Sequence, residues 1–114
     1  MEFGPLLRDL RKQQRLTQQQ LADAVGVDFT YISKVENGRV APPSEETLRK
    51  IASALRADPE ELLAQAGKVG PELKDAAAAE PQLALLLRTI GKKQLTPEQY
   101  RRMRAIAEEP PDAR

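Results

Sequence analysis

The chain has 114 residues, no cysteine, no histidine, and 18 Lys or Arg against 17 Asp or Glu. A thiol nucleophile, a Cys/His zinc centre and a serine–histidine relay are therefore excluded, and no cofactor, metal or enzymatic constellation is expected. Charges interrupt every apolar stretch short of the ~18 residues a membrane span needs, and the start from Met1 to Asp9 does not resemble a signal peptide, so the expected setting is the cytoplasm, away from membranes.

Ala, Leu, Glu, Gln, Lys and Arg dominate, with few aromatic or β-branched residues, which predicts an all-α protein. Phe3, Leu6, Leu7 and Leu10 recur at the spacing of one helical face, giving a first helix from about Pro5 to Gln14. Thr17 caps a second, which buries Leu21, Ala22 and Val25 and stops at Gly26. Asp28 is the expected cap of a third, with Ile32 and Val35 inward, closed by Asn37-Gly38. The Pro42-Pro43 pair makes a loop of residues 39–43, since the helical conformation is disfavoured before proline.

Ser44 starts a fourth helix with Glu45 and Glu46 in its first turn and Leu48, Ile51, Ala52 and Leu55 on one face. A short fifth has Asp58 as cap, Pro59 at its first position, Glu61 completing a capping box, Leu62 and Leu63 inward, and Gly67 at its end. Residues 1–67 thus read as one five-helix domain with a shared core. Residues 68–80 read as a partly helical connector containing the alanine-rich run Asp75 to Ala79.

Residues 81–109 read as a helical hairpin. Pro81 opens its first helix, whose stripe is Leu83, Leu86, Leu87 and Ile90, and Gly91-Lys92-Lys93 is the expected bend. Thr96, Pro97 and Gln99 mark the second start, with Leu95 able to pack on Tyr100; Tyr100, Met103 and Ala107 continue that face up to Pro110-Pro111. Residues 110–114 read as a disordered tail.

The third helix carries the chemistry. With Ile32 and Val35 buried, Thr30, Lys34 and Asn37 face outward, flanked by Phe29, Tyr31 and Ser33, and a helix held on one side and free on the other can enter a DNA major groove. Leu16-Thr17-Gln18, Leu21-Ala22, Val25-Gly26-Val27, Tyr31-Ile32-Ser33, Val35-Glu36-Asn37-Gly38 and Pro43 to Leu48 together resemble the Cro and cI type helix-turn-helix repressors, the xenobiotic-response-element family, over residues 5–66. The resemblance implies a lambda-repressor-like fold, a bacterial or phage source and double-stranded DNA as partner. It implies base contacts from Phe29, Thr30 and Lys34, joined by Ser33, and backbone contacts from Gln18 and the loop from Asn37 to Val40, so that Thr17, Gln18, Tyr31, Asn37 and Arg39 form the expected backbone set. It also implies a structural ion pair between Arg11 and Glu36, which stand at the edges of their apolar faces.

In residue chemistry, Lys34 can donate to guanine, Thr30 can bond several bases, and Phe29 can touch a thymine methyl or pack beside the helix start. The helix lacks a bidentate arginine or glutamine, so part of any specificity would come from DNA shape. Residues 1–66 hold nine Lys or Arg against ten Asp or Glu, an unusually acidic balance for a nucleic-acid binder. Arg101, Arg102 and Arg104 suit a solvated face or a further DNA contact.

Leu83, Leu86, Leu87, Ile90, Tyr100 and Met103 would form a surface for homodimerisation, since one reading helix covers few base pairs and two-fold dimers read half-sites ~34 Å apart. The same surface could receive an antagonist protein or pack on the first domain. The reading is a dimeric repressor on an inverted-repeat operator. Its alternatives are an antitoxin or restriction-modification controller, and a protein-bridging adaptor that binds no DNA.

Overall fold

The computed structural model describes residues 2–111, which contain eight helices and no strand. They are α1 (Phe3–Gln13), α2 (Gln18–Val25), α3 (Phe29–Glu36), α4 (Glu45–Leu55), α5 (Pro59–Gln65), α6 (Glu72–Ala79), α7 (Pro81–Lys92) and α8 (Pro97–Ala107). The chain divides into two compact units, one ending at Gly70 and the other beginning at Pro71. No helix among the described residues is long and apolar enough to cross a membrane. The tail expected over 110–114 lies, from residue 112 onward, outside the described residues.

The first unit packs α1 to α5 around Leu7, Leu21, Ala22, Ile32, Leu48, Ile51, Leu55 and Leu62, all essentially inaccessible to solvent. Each large side chain buried in this way contributes about 1.5–3 kcal/mol, and the five apolar stripes predicted from spacing all face this core. Helix α2 packs on both α3 and α4, α4 on α5, and α1 on α3, so the third helix is gripped from two sides.

Local chemistry sets the helix boundaries. Thr17 Oγ1 accepts from Gln20 N–H at 3.0 Å while Gln20 Oε1 accepts from Thr17 N–H at 2.8 Å, a complete capping box. Gly26 ends α2 with φ of +82°, a left-handed conformation that lets the chain turn sharply into α3. Ser44 and Asp58 cap α4 and α5 through the N–H groups of Thr47 and Glu60.

Four local expectations need correction. Helix α1 begins at Phe3, because a proline in the first turn removes an N–H that has no partner there, so Pro5 need not be the start. Asp58 bonds to the N–H of Glu60 and no capping box with Glu61 forms; Asp28 stands at the cap position of α3 without a side-chain capping bond. Gly91 and Lys92 remain helical and the chain turns extended only at Lys93, since glycine weakens a helix by about 1 kcal/mol without forbidding it.

In the second unit the predicted connector is ordered as α6, which packs on α7. Thr96 and Gln99 form the predicted capping box of α8, at 3.1 and 2.9 Å. No residue of α6, α7 or α8 is fully buried. Leu86 and Tyr100 are exposed, Leu83, Leu87, Ile90 and Met103 are half-buried, and Leu85 and Ile106 add further open apolar surface.

Candidate nucleic-acid interface

Helix α3 spans only eight residues, yet its inner face is locked by Ile32, Val35 and the carboxylate of Glu36, each at most 2% exposed. The remaining face is open. Phe29, Thr30, Lys34 and Asn37 are exposed, and Ser33 is half-buried between the two faces. Phe29 keeps 43% of its surface accessible and lies outside the core and the side chains packed on it. Tyr31 packs against the core and is half-buried. The chain leaves the helix through Gly38, whose φ of +71° turns it so that Arg39 N–H reaches back to the Lys34 carbonyl at 2.9 Å.

A buried polar network fixes the C-terminal end of this helix. Arg11 on α1 grips Glu36 with two hydrogen bonds, Nε to Oε2 at 2.6 Å and Nη2 to Oε1 at 3.0 Å, and its Nη1 donates to the Leu16 carbonyl at 2.8 Å. This fork-on-carboxylate geometry is the strongest ion-pair arrangement proteins use. The pair implied by the family resemblance is therefore present, but it is larger than a pair. Gln18 Nε2 donates to Glu36 Oε1 at 3.0 Å, and Arg8 approaches the same oxygen at 3.5 Å. Arg8 Nη2 also donates to the Glu36 carbonyl at 3.4 Å and to Asn37 Oδ1 at 2.9 Å. Helices α1, α2 and α3 meet on this one side chain.

Burial by itself would push the Glu36 carboxyl up, but hydrogen bonds from Arg11 and Gln18, together with the charges of Arg11 and Arg8, hold it below its ordinary value. A carboxylate whose folded pKa is depressed contributes stability that is complete above the unfolded value near 4.3 and is lost as pH falls through the folded value. Denaturation midpoints should accordingly hold level from pH 7 to about 5 and drop below about 4. A Glu36→Gln variant, starting from a lower midpoint, should show a shallower acid drop; an equally steep one would mean that other carboxylates set the acid limit.

Of the expected backbone-contact residues, Thr17, Asn37 and Arg39 are exposed, while Gln18 is half-buried with one amide N–H committed to Glu36. Two participants were not visible from sequence. From sequence Arg8, like Lys12 and Arg15, suits either a phosphate contact or solvent, with no sign that it meets α3, and Gly4 carries no signal at all. An ideal Cβ at Gly4 would lie 2.5 Å from the Glu36 carbonyl oxygen and 2.8 Å from that of Val35, so α1 crosses the end of α3 at a distance only glycine permits.

Residues 7–62 match the Helix-turn-helix family, the segment that contains this network and the open face of α3. The chain belongs to the Cro/cI-type helix-turn-helix family. It is similar to the uncharacterized HTH-type transcriptional regulator RghRB of Bacillus subtilis, 42% identical over 67 residues, covering 59% of this chain and 48% of that protein. It is also similar to the HTH-type transcriptional repressor RghR of Bacillus subtilis, 38% identical over 84 residues, covering 74% and 62%. The chain thus spans about half to three fifths of the length of these two regulators. Among solved structures, the biofilm master regulator SinR in complex with DNA aligns with 28% identity and a TM-score of 0.50, over 54% of this chain and 97% of that one.

Proposed function

We propose that this helix-turn-helix regulator is a dimeric transcriptional repressor that binds an inverted-repeat operator by laying α3 in the major groove. The observation that carries the reading is the asymmetry of α3: one face sealed by Ile32, Val35 and Glu36, the other presenting Phe29, Thr30 and Lys34. In the groove, Lys34 donates to guanine acceptors, Thr30 bonds a neighbouring base edge, and Phe29 covers a thymine methyl. Thr17, Gln18, Tyr31, Asn37 and Arg39 set the register on the phosphates, which positions the protein without reading sequence. The relative RghR is named a repressor and the similar SinR is described bound to DNA, and both favour this reading.

Dimerisation is assigned to the apolar surface of α7 and α8, from Leu83 to Ile90 and at Tyr100 and Met103. Helices without a fully buried side chain are too small to be stable alone and gain stability by covering such a surface. In vitro selection from random duplexes tests both halves of the proposal: enrichment of an inverted repeat with half-sites about one helical turn (~10 bp) apart supports it. Recovery of no common sequence would sink it in favour of a protein-bridging adaptor.

Within this reading, Lys34→Ala should weaken binding to the selected operator by about tenfold, the ~1–3 kcal/mol of one good base contact, with the melting temperature unchanged because Lys34 is exposed. Anisotropy titration with thermal melts of both proteins decides it. Unaltered affinity would remove Lys34 from the base-reading set.

A further inference from the structure

We infer that Arg8 is a positioning residue for DNA-backbone binding: it sets the carboxamide of Asn37 in one orientation, with Nδ2 turned away from Arg8 and one of its two N–H groups left to donate. The inference rests on the proposed operator binding and concerns how one contact in it is prepared.

Asn37 is the exposed residue that ends α3, and an exposed asparagine amide ordinarily rotates and flips freely. Here it is held. A guanidinium carries only donors, so the Asn37 atom 2.9 Å from Arg8 Nη2 has to be the oxygen, Oδ1. That choice turns Nδ2 the other way, back along α3, where one of its N–H groups donates to Ser33 Oγ at 3.5 Å. The second N–H of Nδ2 is then the donor that remains, the chemistry that a phosphate oxygen accepts.

Arg8 can impose this because its own position is fixed from beneath. Its Nε faces the buried Glu36 carboxylate at 3.5 Å and its Nη2 reaches the Glu36 carbonyl at 3.4 Å. The side chain still keeps 38% of its surface exposed, so it stands at the rim of the network and acts through the residue above it. The amide is ordered in the free protein, and the cost of ordering it no longer falls on DNA binding.

The test uses the full chain and its selected operator, with Arg8→Ala, Arg8→Lys, Asn37→Ala and the Arg8→Ala/Asn37→Ala double variant, each checked for its melting temperature. Arg8→Ala is expected to weaken operator binding by about tenfold, as expected for one charge-assisted hydrogen bond, and to add nothing in the Asn37→Ala background. The salt slope of binding should stay unchanged, and Arg8→Lys should not rescue, since a point-charge ammonium cannot reproduce the fork. Additive losses with a salt slope lower by about one would make Arg8 a phosphate ligand in its own right and overturn the inference. So would full affinity in Arg8→Ala, or a loss accounted for by a lower folded fraction.

The Asn37 side-chain amide signals in NMR of the DNA-free protein separate this inference from the functional reading. They should be dispersed in the parent and move to the position of a free amide in Arg8→Ala. Signals that do not respond defeat the inference even if operator binding holds. Signals that respond in a protein that selects no DNA defeat the functional reading instead.

Discussion

Glu36→Ala should remove about 3–5 kcal/mol of stability, the cost of breaking a buried ion pair from one side. The cost comes less from the lost attraction than from what remains: Arg11, 8% exposed, would keep its charge below the surface with only the Leu16 carbonyl as a partner. Gln18 would lose its acceptor and Arg8 its lower anchor in the same step. A domain of this size has a total stability of roughly 3–10 kcal/mol, so one substitution consumes a large part of it.

Replacing both charged partners, as in Arg11→Met with Glu36→Leu, should restore most of the loss, because two apolar side chains of similar volume leave no unpaired charge. Urea denaturation followed by helical circular dichroism measures both variants against the parent. A Glu36→Ala midpoint within ~0.5 kcal/mol of the parent would mean that water enters and solvates Arg11, and would sink the account of a sealed network.

Gly4→Ala inverts a familiar rule. Inside a helix this substitution normally stabilises by about 0.5–1 kcal/mol, because glycine loses more backbone freedom on folding. Gly4 is helical, yet the added carbon would sit 2.5 Å from one backbone oxygen and 2.8 Å from another. Neither oxygen belongs to a side chain that could turn aside, so α1 itself must lift off the end of α3. Phe3 and Leu7, both buried on that helix, would move with it. Such overpacking costs about 1–3 kcal/mol, or a fall in melting temperature of several degrees, about 4–8 °C for each kcal/mol in a domain this small. Because α3 is displaced at the end that carries Asn37, binding to the selected operator should weaken as well. A higher melting temperature for Gly4→Ala would show that α1 and α3 can separate at this crossing without loss of packing.

The five apolar stripes of the first unit, the caps at Thr17, Ser44, Asp58 and Thr96, and the left-handed end at Gly26 are all legible in the linear sequence. Each is decided by residues within about four positions of one another, where spacing and hydrogen-bonding chemistry act directly. The two faces of α3 follow from the same periodicity. Two boundaries are not legible in the same way: Pro5 permits a helix start and Gly91 a bend, whereas α1 begins at Phe3 and α7 runs on through Lys92, because packing and position decide whether a permitted boundary forms.

The Arg11–Glu36 pair could be anticipated only through resemblance to a family, because its partners stand 25 positions apart and nothing in the intervening sequence states that they meet. Its extension to Gln18, Arg8 and Asn37, and the close crossing at Gly4, came from the tertiary structure alone. Those features depend on how α1, α2 and α3 sit in three dimensions to within an ångström, which the hydrophobic pattern does not encode. The sequence by itself determined an all-helical domain with one helix open on its outer face. The tertiary structure decided how that helix is held, because a buried carboxylate must find its donors wherever the packing of the core has placed them.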